Sequence, residues 1–187
     1  MAPKRWEIIS RKDVSPHAWF PIEMRTYKLP DGRIIDDFSV TTIGDVSMVV
    51  PVTADHRVVL VNQFKPGLNE VALEFPAGRI EPGLDFEKLA LKELEEETGI
   101  KADKSQMKEF AVLGGFTTKG TEKVHFFLAR DCEFNSHQKF DETEEIEVVT
   151  LTFPEMEAKI FSGQIYTTQT IAGWELAKKH FPDVIKL

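Results

Sequence analysis

Residues 78–100 read GRIEPGLDFEKLALKELEEETGI, a glycine-bearing turn followed at once by a helical pattern that stacks carboxylates on one face. Glu93 and Glu97 are related by i,i+4 and Glu93 and Glu96 by i,i+3, so the three acids project from adjoining positions of one helical surface. Like charges at that spacing cost about 0.2–0.5 kcal/mol per pair in an isolated helix. A divalent cation removes the penalty. Ligands that are all carboxylates, with no His or Cys, select a hard ion, Mg²⁺ or Mn²⁺, over Zn²⁺. Leu89, Ala90 and Leu94 fall on the opposite side, with Phe86 a turn earlier, so the same helix has a core face. Gly99, after Thr98, stops it.

The segment resembles the signature of the Nudix hydrolases: a glycine, a first Glu, then Arg-Glu-aliphatic-any-Glu-Glu-any-Gly-aliphatic. Gly78, Glu93, Leu94, Glu96, Glu97, Gly99 and Ile100 fall in register with it. The chain departs from it twice, with Leu84 at the first Glu and Lys92 at the Arg. In the family those two positions form an interacting pair that steadies the metal-binding helix, so their joint loss reads as a coupled change. Lys92 keeps the charge but not the planar fork that grips a carboxylate bidentately, and some loss of precision around Glu93 is expected. An acidic run alone fits a solvated helix equally well. The register of glycines and acids, preceded by Glu74-Phe75-Pro76-Ala77, argues for the signature. The resemblance implies an α+β fold, the Nudix α/β/α sandwich with a mixed β-sheet, here with an N-terminal β-strand extension.

Outward from this stretch the pattern is strand-rich. Residues 6–10 and 18–29 carry aromatic and β-branched residues, and Pro30-Asp31-Gly32 turns the second run into a hairpin with residues 33–42. Residues 47–52 and 57–64 are apolar runs split by Thr53-Ala54-Asp55-His56, a second hairpin. Beyond the signature, residues 107–113, 123–129 and 145–153 read as strands, and residues 155–161 and 169–180 as helices. The glycine-rich loop 114–121 reads as flexible by composition.

The 187 residues, 42% of them hydrophobic, fit one domain over 1–187 with no internal repeat or linker. A net charge of −8 without a basic stripe argues against a nucleic-acid partner. No apolar run reaches membrane-spanning length and no leader pattern opens the chain, so the expected compartment is the cytoplasm. The single cysteine, Cys132, reads as a structural thiol. The five histidines are scattered, with His125 in a strand pattern and packed. No Gly-x-Ser-x-Gly elbow, Cys-x-x-Cys pair or P-loop is present.

Looser similarity around residues 59–65, 73–78 and 164–176 is to the ADP-ribose pyrophosphatase and nucleoside-diphosphate-sugar hydrolase branch of the family. That branch implies metal ligation by Glu93, Glu96, Glu97 and the Ala77 carbonyl. It also implies a second acidic segment, here Asp141-Glu142-Thr143-Glu144-Glu145, with Glu142 as general base and Glu144 as ligand or alternate base. Lys65 and Arg79 are candidate phosphate contacts, Glu74 a candidate acceptor from substrate, and Trp19 a candidate stacking platform for a nucleobase. Residues 1–45 are the expected homodimerisation element. ADP-ribose-specific members tend to carry a proline where Gly115 and Phe116 stand here, which points to a broader range of nucleoside diphosphate sugars. The implied activity is hydrolysis of their pyrophosphate bond to a nucleoside monophosphate and a sugar phosphate, with Mg²⁺ or Mn²⁺ as cofactor. The competing reading, suggested by Leu84 and Lys92, is a non-catalytic nucleotide-binding or sensor domain. Survival of all three helical acids weighs against it.

Overall fold

The computed structural model describes residues 2–140 and 142–186 and divides into two compact units. One holds the chain up to Asp45 together with Gly114–Lys123; the other holds Val46–Leu113 and the chain from Val124.

In the first unit, strands β1 (Glu7–Asp13), β2 (Ile22–Lys28) and β3 (Ile34–Thr41) form an antiparallel sheet in that order. The expected hairpin closes between β2 and β3, where Gly32 takes φ +89°, a conformation that costs glycine little. Trp6, Tyr27 and Phe38 meet edge to face, Tyr27 and Phe38 with centroids 5.5 Å apart. The loop that reads as flexible is tied down. The Thr41 N–H donates to the Lys119 carbonyl (2.7 Å), the Thr121 N–H donates to the Thr41 carbonyl (3.1 Å), and the Lys119 ammonium lies 3.6 Å from the Phe38 ring centre.

In the second unit the strands are β4 (Val46–Thr53), β5 (Arg57–Lys65), β6 (Glu70–Glu74), β7 (Ala77–Arg79), β8 (Met107–Gly114), β9 (Lys123–Cys132) and β10 (Ile146–Thr152). The helices are α1 (Phe86–Thr98), α2 (Phe153–Phe161) and α3 (Thr168–His180). The sheet runs β10-β5-β4-β9-β8, with β6 on β5 and β7 on β4; β4 and β9 are parallel and β10–β5 antiparallel, so it is mixed. Alternate residues of the central strands point to opposite faces. Val50, Val52, Leu60, Phe126 and Leu128 pack with Met156 of α2 and Trp174 of α3. Val49, Val59, Phe127 and Ala129 pack with Ala90 and Leu94 of α1. Burial on both faces is why β4 and β5 read as continuous apolar runs rather than alternating ones. Helices cover both faces, which is the expected α/β/α sandwich. No helix among the described residues is long and apolar enough to cross a membrane.

Strands β6 and β7 do not emerge from the sequence pattern. β7 has three residues, too few for any period to show, and it lies inside the stretch quoted at the outset. β6 returns from β5 through Pro66-Gly67-Leu68-Asn69, with Asn69 at φ +56°. Helix α2 starts at Phe153, earlier than the spacing predicts, because Thr152 and Glu155 form a capping box there.

Candidate active site

Helix α1 is fixed at both ends. Asp85 caps its start, accepting from the Lys88 N–H at 2.8 Å, and Gly99 ends it at φ +74°. Beyond Gly99, two carbonyls of the last turn are met by a segment that sequence reading passes over. The Lys139 N–H donates to the Glu96 carbonyl (2.9 Å) and the Gln138 side-chain amide to the Glu97 carbonyl (2.7 Å). Residues 138 and 139 are thereby anchored to the helix shortly before the second acidic segment begins.

The three helical acids do not share one environment. Glu97 is only 5% exposed and accepts the Ala77 N–H at 3.0 Å, which ties it to β7. The Glu93 side chain is 14% exposed and lies against Gly78, where an added Cβ would stand 2.1 Å from its carboxyl carbon. A side chain at residue 78 would push that carboxylate aside, so Gly78 leaves Glu93 room to lie here. Glu96 is turned to Lys92, whose ammonium reaches Glu96 at 2.7 Å, Glu81 at 3.0 Å and Glu93 at 3.7 Å. Lys92 therefore has an acidic partner, Glu81, which the sequence reading did not single out. Partial burial works against the lysine's charge, but the bonds to Glu96 and Glu81 outweigh it and hold Lys92 above its ordinary pKa.

Burial pushes Glu93 up to about 7, with Lys92 opposing the rise and Glu96, Glu81 and Glu144 adding to it. Burial pushes Glu97 up to about 8, helped by the Glu93 charge and opposed by the Ala77 N–H and Lys65. Two carboxyls that resist ionisation near neutral pH, one fitted over a glycine, suit a site whose missing term is positive charge. The donors fit a hard divalent ion: Glu93, Glu96, Glu97 and the Ala77 carbonyl would hold it. They are not drawn together into a cage; among the described residues no three acidic, His or Cys side chains are placed to hold an ion as they stand.

Opposite this helix the second acidic segment is a loop. Asp141 lies outside the described residues; Glu142, Glu144 and Glu145 are exposed. With Gln63, Phe64, Lys65 and Pro66 at the end of β5 they line a cavity of about 620 Å³. Glu144 raises both Glu93 and Glu97, so its charge is felt at the helix, while Glu142 is absent from the groups acting on either. Lys65 and Glu74 pair with each other at 2.9 Å across the β5–β6 hairpin. Arg79 is exposed on β7 and has no ion-pair partner among the described residues. Trp19, in the first unit, is 83% exposed, so it is not a core residue. His125 is packed as expected, stacked on Phe86 at 3.6 Å and 2.7 Å from Glu109. Cys132 is buried, and burial pushes its thiol up to about 12, far from a nucleophile's range.

Comparison with known proteins places the fold in a family. The NUDIX domain family matches residues 44–169, and the chain belongs to that family; it is a Nudix hydrolase. Its relatives include an ADP-ribose pyrophosphatase of Bacillus subtilis (strain 168), 34% identical over 145 residues and 76% of each chain. A methanol dehydrogenase activator of Bacillus methanolicus is 30% identical over 152 residues, 80% of each chain. An ADP-sugar pyrophosphatase of Mus musculus is 39% identical over 112 residues, 54% of this chain and 51% of that one. A crystal structure of an ADP compounds hydrolase superposes with a TM-score of 0.84 over 98% of this chain and 97% of that one; at 19% identity the likeness is one of fold.

Proposed function

We propose that this chain hydrolyses the pyrophosphate bond of nucleoside diphosphate sugars, ADP-ribose among them, with Mg²⁺ or Mn²⁺, releasing a nucleoside monophosphate and a sugar phosphate. The observation that carries the reading is the pair of buried, charge-starved carboxyls, Glu93 and Glu97, packed beside Gly78 and Ala77 and within the field of Glu144. The printed activities of the Bacillus subtilis and mouse relatives support the substrate class.

Bound divalent metal supplies charge that shields the phosphate oxygens, polarises the phosphoryl group and acidifies a water. The chain's own residues do the rest. Glu97 is held in orientation by the Ala77 N–H, and Glu93 by its seat on Gly78. Glu142 takes the proton from the attacking water, and Glu144, whose charge reaches the helix, serves as a further ligand or alternate base. Arg79, with no acidic partner among the described residues, is the cation best placed to bind a phosphate oxygen, whereas Lys65 is paired with Glu74. Glu74 accepts from substrate only when Lys65 is so displaced.

The reading extends to assembly and compartment. Residues 1–45 form a dimerisation element, supported by the exposed apolar side chains Ile9 on β1 and Ile34 on β3. Trp19, exposed, stacks on the nucleobase. The enzyme works in the cytoplasm, where a lone thiol stays reduced.

The test is a panel of nucleotide sugars, dinucleotides and nucleoside triphosphates incubated with Mg²⁺ and with EDTA, with the products separated. Nucleoside monophosphate and sugar phosphate are expected from the nucleotide sugars, with Mg²⁺ only. No cleavage of any diphosphate, or cleavage unaffected by EDTA, overturns the proposal.

A further inference from the structure

We infer that Gln138 is a positioning residue: it pins the chain to the end of α1 just ahead of the acidic loop, and thereby sets where Glu142 stands relative to the carboxylates of the helix. The inference rests on the reading of Glu142 as general base given above and concerns a residue outside the set assigned there.

The chain between β9 and β10 runs back along the C-terminal end of α1 and is bonded to it step by step. Ile100 and Phe134 form an isolated β-bridge. The Asn135 side chain accepts the Lys101 N–H at 2.8 Å and donates to the Lys101 carbonyl at 3.1 Å. The Ser136 N–H donates to the Gly99 carbonyl at 2.9 Å, and its hydroxyl donates to the Glu95 carboxylate at 2.7 Å. The two backbones come so close here that a Cβ on Gly99 would stand 3.0 Å from the Ser136 carbonyl oxygen. The last two contacts before the loop are those from the Gln138 amide to the Glu97 carbonyl and from the Lys139 N–H to the Glu96 carbonyl. Helix α1 has no basic residue in its last turn to meet such carbonyls, whereas α3 ends in Lys178, Lys179 and His180. On α1 they are met by the chain that leads to Glu142.

Two fixed points therefore bracket the acidic loop. Lys139 is held on Glu96 at one end, and Ile146 pairs with Gln63 at the start of β10 at the other. Glu142 stands three positions beyond Lys139, which keeps its Cα within about 11 Å of the Lys139 Cα. Released at Gln138 and Lys139, the chain would next be held at Ser136, and the same limit would widen to about 22 Å. The loop already acts on the helix, because the Glu144 charge bears on both Glu93 and Glu97. The Lys139 contact is a backbone one that almost any residue could make, so the side-chain amide of Gln138 is the sequence-specific part of the anchor. A general base gains most from being held in place ahead of the reaction, where a displacement of about 1 Å costs on the order of 100-fold.

Hydrogen–deuterium exchange read at single amides of the intact protein, without metal or substrate, tests the anchor apart from turnover. Gln138→Met keeps the length of the side chain and removes its donor. The Lys139 amide is expected to exchange roughly tenfold faster, the equivalent of one lost hydrogen bond, while Ser136 and the amides of α1 keep the parent's rates. Unchanged exchange at Lys139 means that Gln138 anchors nothing, and faster exchange through Ser136 and α1 as well means that it braces the whole region; either overturns the inference. Steady-state kinetics on ADP-ribose with Mg²⁺ then ask whether the anchor serves Glu142. Gln138→Met is expected to lower kcat roughly tenfold with KM within about twofold of the parent's, and a parent-like kcat overturns the inference. In a Glu142→Gln background the same substitution should change kcat by less than about twofold, because a base that is absent gains nothing from being placed. A further full tenfold loss there shows that the two residues act independently and overturns the inference while leaving the base assignment intact. A parent that cleaves no ADP-ribose, or a Glu142→Gln variant as active as the parent, removes the reading underneath and this inference with it. Gln138 is exposed, and circular dichroism confirms that the variants fold.

Discussion

Helix α1 and the loop that carries Glu142, Glu144 and Glu145 hold similar runs of acid and treat them in opposite ways. On α1, Glu97 is buried against Ala77 and Glu93 against Gly78, and desolvation drives both above the ordinary carboxyl range. On the loop, the acids face water. The same charge pattern thus describes a group in which the fold resists the ionisation of two members and a group left open to solvent. Glu93 and Glu97 resist ionisation near neutral pH, and a cation would favour their charged form; the loop acids are exposed, where a proton acceptor is useful. The proposed function divides along this line, with binding of the metal assigned to the rigid helix and proton transfer to the exposed loop.

The largest effect expected from breaking the contrast is at Glu97. Glu97→Gln is nearly isosteric and its amide oxygen can still accept the Ala77 N–H, so the fold and melting behaviour survive while turnover falls to background. Activity near the parent's level would mean that the helix does not hold the metal.

On the loop the effects are smaller and divide in two. Glu142→Gln is expected to lower kcat by roughly 10²–10⁴, the span of a lost general base, with metal affinity kept. Glu144→Gln is expected to weaken metal binding, because its charge reaches Glu93 and Glu97. Calorimetric titration with Mg²⁺ alongside steady-state rates separates the two. A metal defect in Glu142→Gln with normal binding in Glu144→Gln exchanges their roles.

The difference between the two regions was only partly legible in the sequence. Spacing put Glu93, Glu96 and Glu97 on one surface, the apolar runs marked β4 and β5 as the strands of a hairpin, and the sandwich itself was implied by the family resemblance. What spacing could not give was depth. Glu97 lies beside the core face defined by Leu94 and Ala90, and nothing in a helical period says which edge of an acidic stripe the sheet will cover. Partners distant in sequence were equally hidden. Gln138 reaches the Glu97 carbonyl across a separation no local pattern encodes, and the Lys65–Glu74 pair became visible only with the register of β5 and β6. Glu81 is the instructive case: Pro82-Gly83 marked a tight turn beforehand, but the meeting of that turn with Lys92 depends on how the turn joins the helix cap. The loop 114–121 erred the other way, since a glycine-rich composition describes what a backbone is able to do and not which hydrogen bonds will hold it.

The smallest expected effect is also the most direct reading of the contrast, the dependence of stability on pH. With Glu93 near 7 and Glu97 near 8, against ordinary values of 4.5, the native state binds protons more tightly than the unfolded chain. Their contribution is therefore complete below about pH 4.5 and is lost as pH rises through 7 and 8, with a slope of up to about 1.4 kcal/mol per pH unit for each carboxyl. Asp85 and Glu155 are shifted the opposite way, below their ordinary values, and are already ionised throughout this window. Melting temperatures measured from pH 5 to 8.5 in EDTA should decline, and more steeply than those of a Glu93→Gln, Glu97→Gln double variant, which retains the five histidines as a common background. Saturating Mg²⁺ should flatten the parent's decline and leave the variant's unchanged, because the ion replaces the protons that the buried acids otherwise keep. Parallel curves for parent and variant in EDTA would mean that the fold does not resist the ionisation of Glu93 and Glu97, and the proposed division of labour between the two regions would lose its physical basis.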